Sequence, residues 1–142
     1  MSLVRTLGFL GLIPFAVGVL LEFELIWAGP FWGLKLFTTY SACILSFMCG
    51  AWWGLHISKN SNHNTTWLVA SNVLCLLAWV ALMIGFNPLA VILLGGGFVV
   101  VWLADIKALR DHYAPVYLSL RSQLSIAVVI MHGLVLVPTV SG

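Results

Sequence analysis

This sequence predicts an all-α, polytopic membrane protein, a bundle of five transmembrane helices with the N-terminus cytoplasmic and the C-terminus outside. Three observations predict it: the composition, the spacing of the apolar runs, and the side on which the basic residues fall. Of 142 residues, 62% are hydrophobic and 7% charged, whereas a typical soluble domain carries about 25% charged residues. Mean hydropathy is +1.11. A soluble core of this length cannot hide so much apolar side chain, because small domains leave much of their surface exposed. The solvent is therefore lipid. A net charge of +2 is too small for a nucleic-acid partner, whose binding rests on many phosphate contacts.

A helix needs about 20 apolar residues to cross the hydrocarbon, and five runs meet that need. The first is "TLGFLGLIPFAVGVLLEFELIW", Thr6 to Trp27, in which Pro14 should introduce a kink whose freed carbonyl a neighbour satisfies. The second runs from Leu36 to Ile57 and the third from Thr66 to Phe86. The fourth starts at Pro88, leaves the apolar region near Ala104 and continues as helix toward Arg110; the fifth runs from Pro115 to Val137. Between them, "AGPFWG" and "FNP" carry turn-forming Gly, Asn and Pro. "SKNSNHNTT" is a polar loop, with Asn64 or Thr65 placed to cap the third span. No linker or low-complexity tract divides the chain, so residues 1–142 read as one domain.

With the N-terminus inside, Arg5, Lys59, Lys107, Arg110 and Arg121 fall on the cytoplasmic side and only Lys35 falls outside. The positive-inside rule therefore sets the orientation. The first run lacks a small-residue cleavage site and reads as a retained span rather than a signal peptide. The absence of an Arg- and Ser-rich transit sequence points to a bacterial inner membrane, and the Asn64 sequon to a chance match.

Ala42, Ser46, Gly50 and Gly54 recur every four residues along the second span. Small-xxx-small rows let membrane helices approach closely, so this row is expected to be a packing seam. Trp53, beside the row, is then expected to face protein, and Trp52, about 100° further round, the interfacial belt. "LGGGF", Leu94 to Phe98, offers the fourth span a similar smooth patch, for close packing or, less strongly, a hinge.

Ionisable residues inside spans are functional candidates. Arg121 lies more than a turn into the fifth span, Asp105 ends the fourth, and His56 ends the second. Trp53 and Tyr117 fall within about a turn of the same level. These five residues form the candidate ligand-binding layer. Its plain structural reading is an Arg121–Asp105 ion pair; its functional reading is a guanidinium with aromatic walls, whose fork of donors suits phosphate, carboxylate or carbonyl. Glu22 and Glu24 are expected to be solvated at the outer interface, and His132 to make one interhelical hydrogen bond. Cys43, Cys49 and Cys75 show no metal-ligand spacing and read as small hydrophobes. No nucleophile–base set, P-loop or carboxylate cluster is present, so neither catalysis, metal nor cofactor is expected.

"GLIPF" (Gly11 to Phe15), "YSACILSFMCGAWWG" (Tyr40 to Gly54), Asp105, and "PVYLSLRSQLS" (Pro115 to Ser125) together carry a resemblance. The chain resembles a family of small bacterial membrane proteins of unknown function that also contains mitochondrial transmembrane protein 69. It departs from the pattern at Cys49, where glycine is usual, and at Trp52, where a polar or basic residue is expected. The resemblance supports topology and the choice of residues, and it implies no activity. Five spans and many tryptophans are also similar to the tryptophan-rich sensory proteins, but their "W-x-P-P" and "P-V-W-T" segments are absent.

The expected function is a non-catalytic inner-membrane protein with a cytoplasmic-leaflet site for a lipid, a quinone-like amphiphile or a partner helix. The alternatives are a small oligomeric transporter or channel, and an accessory or assembly subunit of a respiratory complex.

Overall fold

The computed structural model describes residues 2–29, 31–58 and 65–141. Lys59 and Asn64, used above for orientation and capping, lie outside the described residues. The elements are α1 (Ser2–Leu10), α2 (Ile13–Glu22), α3 (Trp32–Ser58), α4 (Thr66–Ile84), α5 (Pro88–Lys107), a 3₁₀ turn (Arg110–His112) and α6 (Pro115–Ser141). Among the described residues there is no strand, and five helical stretches are long and apolar enough to cross a membrane. This is a multi-pass membrane bundle.

The first span, Ser2–Glu22, is interrupted at Gly11–Leu12 into α1 and α2, with Leu12 keeping right-handed helical angles, as the kink expected at Pro14 requires. Pro14 sits in the first turn of α2, where its missing N–H costs nothing, and the chain breaks just before it. At the break the Tyr40 hydroxyl of α3 donates to the Gly11 carbonyl at 3.0 Å. A neighbour thus satisfies freed backbone, as lipid surroundings demand.

Helix α2 ends at Glu22, five residues before the expected Trp27. Leu25 N–H bonds back to Leu20 O at 3.0 Å and Glu24 N–H to Leu21 O at 3.1 Å. This is a Schellman stop with Glu24 at the left-handed position, φ 58°, a place usually held by glycine. Glu22 is not merely solvated, because its carboxylate lies against the first turn of α3, with Oε2 2.8 Å from where a Cβ on Gly33 would fall. Negative charge at a helix N-terminus is stabilising.

The remaining ends follow local chemistry. Asn87 caps α5 by accepting from Ala90 N–H at 3.0 Å, with Pro88 as the next residue. Thr65 precedes α4 without a side-chain cap. Helix α3 starts earlier than expected, at Trp32. Helix α6 runs through Pro138 to Ser141, and beside the proline Thr139 Oγ1 donates to Val135 O at 3.0 Å.

In the packing, α3 lies against α2 and α4, and α5 against α6, α4 and α3. Gly97 of α5 shows how close: a Cβ there would fall 2.6 Å from Leu45 Cδ2 of α3. The glycine run is unbroken helix, and Gly95 and Gly97 serve close packing while Gly96 faces open space. At the centre, Phe15, Phe37 and Phe98 surround His132, whose ring lies 6.1, 4.7 and 5.4 Å from theirs.

The expected seam on α3 is only half realised. Ala42 is buried, and Ser46 meets Cys75 of α4 at 3.6 Å, but a Cβ at Gly50 or Gly54 would meet nothing within 4 Å. Four residues turn a helix by about 400°, so such a row drifts some 40° per step. By Gly54 it has left the contact. The buried face instead advances through Phe37, Ser41, Leu45, Met48 and Trp52, steps of three and four that track the true helical period.

Candidate functional site

Following that face places Trp52, not Trp53, inside the protein. Trp52 is 2% exposed and Trp53 41% exposed, so the two expected orientations are reversed. Trp52 stacks edge-on against Trp67 of α4 at 5.5 Å. Its indole Nε1–H donates to Asp105 Oδ1 at 3.0 Å. Trp52 therefore contributes a hydrogen-bond donor as well as apolar surface.

Asp105, near the end of α5, is 1% exposed. Its other oxygen, Oδ2, accepts from Arg121 Nε at 2.8 Å and lies 2.8 Å from Nη2. Arg121 enters from α6, almost two turns past Pro115, and is 5% exposed. Three helices thus meet at one carboxylate, each of whose oxygens holds a donor. This is the condition under which a buried ion pair is tolerated, because desolvating two charges is otherwise too costly.

The aromatic walls are Tyr113 and Tyr117. The Arg121 guanidinium carbon lies 5.1 Å from the Tyr113 ring centre and 5.8 Å from that of Tyr117, within the range of cation–π attraction. The two rings contact one another at 5.5 Å. Tyr113 follows the 3₁₀ turn, outside the spans, and burial pushes its phenol well above the usual tyrosine value despite the pull of Arg121. It therefore stays a neutral phenol at any physiological pH.

Beside this cluster a groove of about 380 Å³ opens between α1, α2, α3 and α6. Leu7, Gly8, Phe15, Ile44, Met48 and Leu124 give it an apolar lining, with Arg121 and Tyr117 in the same wall. Its volume falls at the lower end of the usual 300–1,000 Å³ for small-molecule sites.

Of the five sequence candidates, the structure brings Asp105, Arg121 and Tyr117 together. Trp53 faces outward, and His56, a turn beyond Trp52, is half-buried and is not part of the groove lining. Sequence reasoning missed Trp52 and Tyr113. Three- and four-residue steps reach Trp52 only from a start known to be inside, such as Phe37; nothing local marks Tyr113, which the turn after α5 folds back over Arg121. His132 also differs from expectation, since its Nδ1 donates within α6 to Val128 O at 2.8 Å rather than across helices. Among the described residues no group of three or more His, Cys, Asp or Glu gathers as for a metal.

No curated protein and no solved structure matches the chain. A family of proteins of unknown function, DUF3429, matches residues 1–137. With nearly the whole chain covered, including all five spans and the Trp52–Asp105–Arg121 cluster, the protein belongs to the DUF3429 family.

Proposed function

We propose that this protein is a non-catalytic binding protein of the membrane, whose groove between α1, α2, α3 and α6 holds an amphiphile with its polar end at Arg121. One observation carries the reading. An apolar groove of about 380 Å³ has a single charged side chain in its wall, and that side chain is fixed by Asp105 at 2.8 Å. A guanidinium held this way is pre-organised, and pre-organisation lowers the cost of binding. The chain is further proposed to lie in a bacterial inner membrane, with the Asp105–Arg121 layer toward the cytoplasm, as the basic residues favour.

The test is native mass spectrometry of the protein extracted from its own membranes in mild detergent. A discrete retained mass is expected in the wild type and in Lys107→Ala, an exposed position away from the groove. Ile44→Trp, which fills the groove without touching the ion pair, is expected to lose it. Retention unchanged in Ile44→Trp, or no retained mass in any form, refutes the reading.

A further inference from the structure

Helix α1 divides its side chains between two faces. Val4, Leu7 and Gly8 line the groove, and a Cβ on Gly8 would fall 2.9 Å from Leu124 Cδ1 of α6. Ser2, Arg5 and Phe9, spaced by three and four residues, share the other face. They line a crevice of about 740 Å³ against Val116. A second crevice, of about 320 Å³, joins Arg5 to Pro115, Ser119 and Gln123 in the first turns of α6. Arg5 and Val116 belong to both walls, so the two crevices adjoin at Arg5.

This junction offers donors and no counter-charge. Neither lining contains Asp or Glu. Arg5 is exposed, and among the described residues the ion pair joins Arg121 to Asp105 and leaves Arg5 without a carboxylate. Its five N–H groups form a planar fork that matches phosphate. Ser119 Oγ accepts from Gln123 Nε2 at 3.4 Å, which leaves its own O–H to donate. The first backbone bond of α6 runs from Leu118 N–H to Ala114 O, so the helix itself leaves the N–H groups of Val116 and Tyr117 open. Such an end favours negative charge. A turn further into the span, Phe9 and Leu10 continue the wall as apolar surface.

We infer that this junction binds the phosphodiester of an anionic membrane lipid, gripped by Arg5 with Ser119 and the open end of α6. An acyl chain of the same lipid lies along Phe9 and Leu10. Basic pockets between transmembrane helices at the cytoplasmic side suit anionic headgroups. The site is separate from the groove and does not rest on the binding role proposed for it, since Arg121 lines neither crevice. Its consequence is structural: the lipid ties α1, none of whose residues is buried, to α6.

The experiment offers the delipidated protein in dodecylmaltoside two probes and reads retention by native mass spectrometry. Dioleoyl phosphatidylglycerol and dioleoyl phosphatidylcholine share their chains and differ in net charge. The wild type is expected to bind the glycerol lipid at least about tenfold tighter, the scale of one charge-assisted hydrogen bond. Arg5→Ala is expected to lose that preference. Lys107→Ala removes the same charge at the same end of the bundle but from neither crevice, and is expected to keep it. Ile44→Trp, which fills the groove, is also expected to keep it. Equal binding of the two lipids by the wild type overturns the inference, as does a preference that survives in Arg5→Ala. A loss in Lys107→Ala as large as in Arg5→Ala overturns it too, because the lipid then answers to diffuse charge rather than to a site. A preference lost in Ile44→Trp and kept in Arg5→Ala puts the anion in the groove; the inference then fails while the proposed function stands. The wild-type comparison decides the matter even if Arg5→Ala does not fold.

Discussion

Removing the Asp105 carboxylate should be among the most damaging single changes in this protein. Asp105→Ala strands the Arg121 guanidinium, 5% exposed, without its counter-ion. Breaking a buried pair from one side typically costs about 3–5 kcal/mol. The same change orphans Trp52 Nε1, which now donates at 3.0 Å, and a buried donor left unmade adds roughly 1–3 kcal/mol. The expected total is therefore about 4–8 kcal/mol. Asp105→Ala combined with Arg121→Met should be much milder, because replacing both charges with apolar groups is often neutral or stabilising. Only the Trp52 donor stays unsatisfied, so the double variant should lie within about 1–3 kcal/mol of wild type. The coupling between the sites is then expected at roughly 3 kcal/mol or more. Reversible unfolding in mixed dodecylmaltoside and dodecyl sulfate, followed by tryptophan fluorescence, supplies the four stabilities of the cycle. If the single and double changes add, or if Asp105→Ala costs less than about 1 kcal/mol, the three-helix carboxylate does not hold the bundle as argued.

The same assay tests other parts of the structure. Trp52→Phe deletes the N–H bonded to Asp105 and should cost about 1.5–3 kcal/mol, as for a hydrogen bond to a charged group, whereas exposed Trp53→Phe should stay within about 0.5 kcal/mol. Equal effects would contradict the assigned orientations. Gly97→Ala should destabilise by about 1–3 kcal/mol because its Cβ lands 2.6 Å from Leu45 Cδ2. Gly50→Ala, with nothing within 4 Å, should gain roughly 0.5–1 kcal/mol of helix propensity. Glu24→Gly relieves a left-handed backbone at φ 58° and should stabilise the α2 stop by about 1 kcal/mol. A loss there would show that the Glu24 side chain does more at the stop than the backbone requires.

Sequence by itself determined the membrane class, the five crossings and three members of the site. These properties are additive along the chain: apolar run length sets the spans, and Asp105, Arg121 and Tyr117 stand out because charge and hydroxyl are rare in such runs. The kink at Pro14 and the break at Asn87–Pro88 were legible because these residues act on their own backbone, whereas the stop of α2 at Glu22 and the start of α3 at Trp32 were not. Tertiary structure alone decided which face of each helix is inside. Trp52 and Trp53 are adjacent and chemically identical, and no local property tells them apart. Their fates depend on where α4 and α5 sit around α3, and there the rotation of 3.6 residues per turn carries Gly50 and Gly54 out of the contact while keeping Leu45, Met48 and Trp52 within it. Tyr113 lies outside every apolar run and joins the site only because the 3₁₀ turn reverses the chain over Arg121. The groove belongs to no single segment: its walls come from α1, α2, the Gly11–Leu12 interruption between them, α3 and α6. Spans are written in hydrophobicity, whereas a cavity is written in packing, which only the assembled helices possess.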